Sequence, residues 1–342
     1  MRIEAAEVAP AGWDEYVERH PRATAYHRAD AVDIGKRAFG LKTTFLTARD
    51  GRTIVGALPL VEQSSRLFGR FLVSLPFVTY GGILAEDTEI ASALALRAAQ
   101  EAQARKADHV EFRHSAQMPN AGLAERLDKV SMVLELPDSE QALAGKLGAK
   151  LRSQIRRGER ENPEFVWGGS ELLLDFYRVF APAMHALGTP VYPRRFFEIV
   201  YDALNEVSNI LIVKMKGRPE AVAFLVRHGK TMEVPWAVAS PEAKRQSVNM
   251  RMYWELLVRS IRNGAQAFDF GRSTVGSGTY KFKAQWGAEP RQLHWHYWLP
   301  EGAAVPTLNQ SNPKYARAAA LWRRMPLWCA NIIGPHLIRN LP

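Results

Sequence analysis

The sequence reads as an α/β protein with α+β layering, in which two similar modules follow one another and each is a mixed, mostly antiparallel sheet flanked by helices. Three observations lead there. "ADHVEFRHS" (Ala107 to Ser115) and "AQAFDFGRS" (Ala265 to Ser273) read as strands, and each follows a long stretch with apolar residues at helical spacing, "TEIASALALRAAQEAQARK" and "SVNMRMYWELLVRSIRNG". Upstream of each, "TTFLTARDGRTIVGALPLVE" and "NILIVKMKGRPEAVAFLVRHG" read as strand, turn, strand, with the turns at Asp50-Gly51 and Lys216-Gly217. Downstream, "KVSMVLELP" and "LHWHYWLP" read as final strands, each stopped at Leu-Pro because proline cannot extend a central strand. The matching pieces keep an offset of roughly 160 residues, the mark of an internal repeat.

A chain of 342 residues is too long for one ordinary core, which agrees with two modules. We place an N-terminal domain at 1–137, a C-terminal domain at 138–305 and a helical tail at 306–342. The second module carries additions. "SEQALAGKLGAKLRSQIRRGER" reads as a basic helix, and "GSELLLDFYRVFAPAMHALGTPVYPRRFFEIVYDAL" as two helices broken at Gly188-Thr189-Pro190.

With 47% hydrophobic residues the chain is expected to be globular, and no window approaches the roughly 20 apolar residues that cross a bilayer. The single cysteine, Cys329, rules out an intrachain disulfide framework and a multi-cysteine metal site. These features lead us to expect a cytoplasmic protein without a metal. The formal net charge of +10 favours anionic partners such as phosphates, nucleic acid or an acidic membrane, and does not choose among them. Much of the excess sits in "KLGAKLRSQIRRGER" and in the tail at Arg317, Arg323, Arg324 and Arg339. Together with Trp322 and Trp328, that tail fits either a helix closing the second domain or a peripheral contact with the inner face of a membrane.

Two similar halves, "KLRSQIRRGER", "GTPVY", "FDFGRS" and above all "SGTYKFKAQWGAEP" resemble the FemAB-like branch of the GNAT superfamily, and more narrowly the FemAB-related proteins associated with exosortase/PEP-CTERM and exopolysaccharide loci. The resemblance spans nearly the whole chain. It implies tandem GNAT-like domains and transfer of an acyl or aminoacyl group to an amine of a cell-envelope or exopolysaccharide precursor, with aminoacyl-tRNA or acyl-CoA as donor. Two alternatives stand beside it: an acetyl-CoA-dependent N-acetyltransferase, and a non-catalytic protein that binds nucleotide-sugar, polysaccharide or tRNA.

Acyl transfer to an amine requires a deprotonated nucleophile, a stabilised oxyanion and reactants held in register. In Fem-type enzymes a Phe-Lys pair followed by an aromatic-Gly pair occupies the active region, and "FKAQWG" supplies Phe282, Lys283, Trp286 and Gly287. Lys283 is therefore expected to bind a phosphate or stabilise the oxyanion. If Thr279 to Gln285 is a short helix, Tyr280 and Lys283 share one face and Phe282 and Trp286 another. The plainer reading leaves Lys281 and Lys283 in solvent and the aromatics in the core. Asp269 would orient Arg272, accept a proton, or form an ion pair that holds the strand end, and Glu233 in "TMEVPWAVAS" is a second carboxylate candidate. Glu111 has the pattern of Asp269 without the arginine that follows it.

Catalytic roles are expected for Lys283, Asp269, Tyr280 and Arg272. Substrate contacts are expected from Lys150, Arg152 and Arg156 on the basic helix, from Tyr192 in "GTPVY", from Trp236, Asn249 and Tyr253, and from Ser277, Thr279, Lys281 and Trp286. GNAT acetyltransferases cradle the coenzyme A pyrophosphate on a Gln/Arg-x-x-Gly-x-Gly/Ala loop. The corresponding "SPEAKRQSVNMRMYW" has Lys244, Arg245 and Gln246 and no glycine, which puts coenzyme A in doubt as donor. His294 and His296 share a strand face in a spacing compatible with a metal, without an evident third ligand.

Overall fold

The computed structural model describes residues 1–65, 69–118, 122–306 and 313–339; of the expected tail, 307–312 and 340–342 lie outside the described residues. The chain begins with β1 (Arg2–Ala6), α1 (Trp13–Arg19), α2 (Ala29–Val32) and α3 (Ile34–Phe39). There follow β2 (Lys42–Asp50), β3 (Thr53–Ser65), β4 (Gly69–Val73), β5 (Leu84–Ala85), α4 (Thr88–Ala104), β6 (His109–His114), β7 (Ala124–Arg126) and β8 (Lys129–Glu135). The added helical region holds α5 (Glu140–Lys146), α6 (Ala149–Glu159), β9 (Glu164–Gly168), α7 (Leu173–Ala186) and α8 (Arg194–Ala203). Then come β10 (Ser208–Met215), β11 (Arg218–His228), β12 (Thr231–Ala239), α9 (Pro241–Arg245), α10 (Val248–Arg262), β13 (Ala267–Thr274), α11 (Gly278–Ala284), β14 (Glu289–Gln292) and β15 (His294–Trp298), before α12 (Pro313–Arg324) and α13 (Leu327–Ile338).

Each paired feature of the repeat is present. The β2–β3 and β10–β11 hairpins are antiparallel, and α4 and α10 each lead into β6 and β13. Lys216 and Gly217 both have positive φ, 51° and 75°, the geometry that matches a tight hairpin to strand twist. In each module the strand after the hairpin runs parallel to the strand after the long helix: β4 pairs β6, and β12 pairs β13. Among the described residues the first sheet has the order β1-β2-β3-β4-β6-β15-β7 with β5 beside β3, and the second has the order β14-β8-β13-β12-β11-β10-β9.

The division of the chain differs from the boundary at 137/138. One compact unit comprises 1–129, 292–308 and 339–342, and the other 130–291 and 309–338. Two strands account for the difference. β8, read as the last strand of the first half, lies between β14 and β13 in the second sheet, and β15, read as the last strand of the second half, lies between β6 and β7 in the first. Their side chains suit these places. Met132 and Leu134 of β8 join the second core, whereas Tyr297 of β15 donates its hydroxyl to buried Glu111 of β6 at 2.6 Å. Periodicity fixes a strand's existence and its apolar face, and leaves its neighbour open.

In the first unit α4 lays Leu94, Ala98 and Ala102, one helical turn apart, on the sheet's apolar face. In the second, α10 does the same with Met252, Leu256 and Leu257, while Phe176 and Phe180 of α7 and Phe197 of α8 form a ring cluster with Phe224 and Trp236. The basic helix α6 crosses α10 closely at Gly158. A Cβ there would lie 2.4 Å from the Ser247 carbonyl oxygen, and the backbone cannot yield as a side chain would.

In an exposed helix, Gly to Ala gains roughly 1 kcal/mol. At this crossing we expect Gly158→Ala to lose about 1–3 kcal/mol instead, because the added methyl separates α6 from α10. Urea unfolding of the variant measures the sign.

Candidate functional site in the second unit

The ladder between β12 and β13 has three rungs, Thr231 with Ala267, Met232 with Phe268 and Glu233 with Asp269, although both strands run on for several residues. Two carboxylates therefore stand side by side at the last rung, 1% and 2% exposed. Burying ionised carboxylates without partners is costly, so each must be hydrogen-bonded or paired. Asp269 accepts the hydroxyl of Ser131 at 2.5 Å and the backbone N–H of Gly271 at 2.7 Å. Glu233 lies 2.7 Å from Nε2 of His228, which precedes it across the β11–β12 turn.

The cation comes from α11. Ser277 caps this short helix by accepting the Tyr280 N–H at 3.2 Å and also contacts the Thr279 hydroxyl at 3.0 Å. The side chains of Ser277 and Thr279 thus organise the start of the helix. Phe282 and Trp286 pack against the second core, with Phe282 edge-on to Tyr253 at 5.0 Å and Tyr253 stacked on Phe270 at 5.7 Å. That packing turns Lys283 inward. It is 9% exposed, and its ammonium donates to the carbonyls of Gly271 at 2.8 Å and Arg272 at 3.0 Å. An ammonium has three N–H donors, so a third remains for a ligand. Burial lowers the Lys283 pKa to about 8, while Asp269 and Glu233 pull it back up and Arg272 adds to the depression.

The helix read at Thr279 to Gln285 is present, but the division into a packing face and an exposed binding face is not. Lys283 is buried with the aromatics, Tyr280 is half-buried against the same core, and Lys281 is exposed. Arg272 joins the cluster through its carbonyl, its side chain being exposed, and Asp269 is met by Ser131 and Gly271. Tyr253 is a core residue whose hydroxyl is pushed up to about 12 by burial. Trp286 is fully buried, and Trp236 sits in the ring cluster of α7 and α8. Tyr192 stacks on Phe196 at 4.3 Å. Asn249 is half-buried in the first turn of α10. On α6, Arg152 turns back to the Leu147 carbonyl, and Lys150 and Arg156 are exposed.

The residues missed by sequence reasoning are Ser131 and His228. A lone hydroxyl inside the apolar run "KVSMVLE" is the signal that finds Ser131, once the strand is placed beside β13. The reading of Glu111 also needs correction. Its arginine is Arg113, two residues on, at 2.7 Å. Burial pushes Glu111 up, but Arg113 and the Tyr297 hydroxyl outweigh it, and the carboxyl is held below the ordinary range. At the corresponding place in the first unit Arg113 also donates to the Val78 carbonyl, at 2.7 Å. His294 contacts Glu125 at 2.6 Å, and His296 lies 3.1 Å from His114 through their Nδ1 atoms.

Before α10, the segment aligned with the coenzyme A loop forms α9, capped by Ser240, and then Ser247 in the left-handed region at φ 62°. The conformation that glycine favours is thus adopted here by a serine, whose carbonyl side meets Gly158.

Residues 145–284 match the family model of the acetyltransferase (GNAT) domain. The fold is similar to that of FemX, with a TM-score of 0.68 at 14% identity over 87% of this chain and 97% of that one. It is also similar to L-PGS from Bacillus licheniformis, with a TM-score of 0.57 at 14% identity over 93% and 98% of the two chains. A tandem GNAT protein from the clavulanic acid biosynthesis pathway gives a TM-score of 0.53 at 15% identity, over 89% and 100%. No curated protein sequence matches the chain.

Because the Asp269 charge raises the Lys283 pKa, Asp269→Asn is expected to move it below about 8. NMR titration of the labelled lysine side chain reads the shift, and an unchanged or raised value contradicts the placement of these two groups.

Proposed function

We infer that this chain, a tandem GNAT-fold protein of the FemAB-like branch, transfers an acyl or aminoacyl group to an amine of a cell-envelope or exopolysaccharide precursor. The observation that carries the reading is the Lys283 ammonium, buried and fixed by two backbone carbonyls beside Asp269 and Glu233, where the β12–β13 ladder ends.

In the reaction proposed, the acceptor amine attacks the donor carbonyl carbon. The new C–N bond forms as the C–O bond of a tRNA ester or the C–S bond of a thioester breaks; the amine gives up a proton and the leaving group gains one. The tetrahedral oxyanion formed on the way is met by the third N–H of Lys283. A donor already held in place lowers the barrier because it need not reorganise as charge develops. The carboxylates at the last rung keep that ammonium charged at neutral pH against the penalty of its burial. The exposed cations of α6, Lys150 and Arg156, suit the phosphates of a donor or acceptor through salt-dependent attraction. Aminoacyl-tRNA is favoured over coenzyme A as donor because the segment before α10 has no glycine cradle and packs on α6 at Gly158.

The test incubates the protein with charged tRNA, acyl-CoA thioesters and amine-bearing envelope precursors, and seeks mass shifts in the precursors. Lys283→Ala is expected to lower turnover about 10²–10³-fold with the urea midpoint of the fold retained. Full turnover in that variant overturns the role of Lys283. Saturable binding of nucleotide-sugar with no mass shift from any donor overturns transferase activity.

The depressed pKa sets a second expectation. Lys283 is charged below about pH 8 and loses its proton as pH rises through that value, so kcat/KM should fall above about pH 8, approaching tenfold per unit. A rate that rises through this range makes neutral Lys283 a proton acceptor instead of an oxyanion donor.

A further inference from the structure

Residues 302–342 contain Lys314, Arg317, Arg323, Arg324 and Arg339 and no aspartate or glutamate. Of the two helices in this segment, α13 buries one face and exposes large apolar side chains on the other, and α12 exposes Leu321 among arginines. On α13, Ala330, Gly334 and Ile338 recur every four residues and are buried. Gly334 presses so close to Val191 that a Cβ would lie 3.1 Å from its backbone oxygen, and Ala319 of α12 packs likewise against Gly188. Both helices are thereby seated against the connection between α7 and α8. At 100° per residue, Trp328 and Ile332 lie on the side opposite Ala330 and Gly334. They are 67% and 62% exposed, Ile333 is 41% exposed, and Leu321 of α12 is 68% exposed. Arg317, Arg323, Arg324 and Arg339 are exposed as well.

We propose that α12 and α13 form a docking surface for an anionic lipid bilayer, lying in the plane of the interface. Large apolar side chains in water gain free energy when buried, at roughly 25 cal/mol per Å². An indole suits the headgroup boundary, where its ring is apolar and its N–H stays hydrated. The flanking arginines supply the attraction to acidic headgroups, each contributing about 1 kcal/mol near such a surface. The absence of any acid from residues 302–342 selects a negatively charged partner over a neutral one. The lengths exclude spanning. Twelve residues reach about 18 Å, against a hydrocarbon core of about 30 Å, and no helix among the described residues is long and apolar enough to cross. The docking stands independently of the acyl-transfer reading.

The experiment is flotation of the full chain with vesicles of phosphatidylcholine alone and of phosphatidylcholine with about 30% phosphatidylglycerol. Binding is expected to the anionic vesicles, weakening as salt is raised. Trp328→Asp with Ile332→Asp should reduce it at least tenfold with the urea midpoint unchanged, since both side chains are exposed. Arg323→Glu with Arg324→Glu should weaken it and flatten its salt dependence. Lys283→Ala should bind as the native chain does, which separates loss of docking from loss of transfer. No binding to anionic vesicles at low salt overturns the proposal, as does equal binding by the aspartate variant. A dimer in light scattering that this variant returns to a monomer, without vesicle binding in either protein, assigns the face to a second copy and also overturns it.

Discussion

A buried carboxylate at the end of a short parallel ladder is the constraint around which both sheets are arranged. β4–β6 and β12–β13 each pair over three rungs, and the last rung carries Glu111 in one and Asp269 in the other. A charge there must find partners inside the protein, because removing a carboxylate from water without them costs several kcal/mol. The first unit satisfies the demand locally: Arg113 sits on the same strand, the Tyr297 hydroxyl arrives from β15, and Trp295 lies against the guanidinium at 4.5 Å. The second satisfies it with neutral donors from Ser131 and Gly271, and leaves the positive charge to α11. One fold plan thus yields an arginine–carboxylate pair within one strand in one copy and, in the other, a carboxylate beside a lysine brought in by a separate helix.

The aromatics around α11 make that lysine's position definite. Phe282, Trp286, Tyr253 and Phe270 pack as one group, and a helix of only seven residues has little stability of its own. Its orientation is therefore set by core packing and by the Ser277 cap, and the ammonium follows. The glycines flanking Ser277 serve the turn leading into the helix.

Much of this was legible from the chain alone. Hydrophobic period gave the hairpins, the long helices and the repeat, since each depends on residues close in sequence. What stayed hidden depends on residues far apart. Nothing in "KVSMVLE" or "HWHYW" says which sheet each strand enters, because a strand with one apolar face fits either. Hence the domain boundary was misplaced, and Ser131, which lies 138 residues before Asp269, could not be seen as its partner. Lys283 was identified from its motif, while its burial was not, because the helix period allows the same spacing on an inner or an outer face. Arg113 is a different case: two residues from Glu111 on one strand it shares a face, so alternation alone would have paired them, and the reading overlooked it.

The interior position of β15 in the first sheet bears on synthesis. The ribosome completes residues 1–129 long before it reaches His294, so during that interval β6 has an open edge and Glu111 lacks the hydroxyl that later binds it. A nascent chain in this state presents unpaired backbone next to apolar surface, the condition under which strands join wrong partners. Closure of the first sheet must wait for β15, by which point most of the chain has been made.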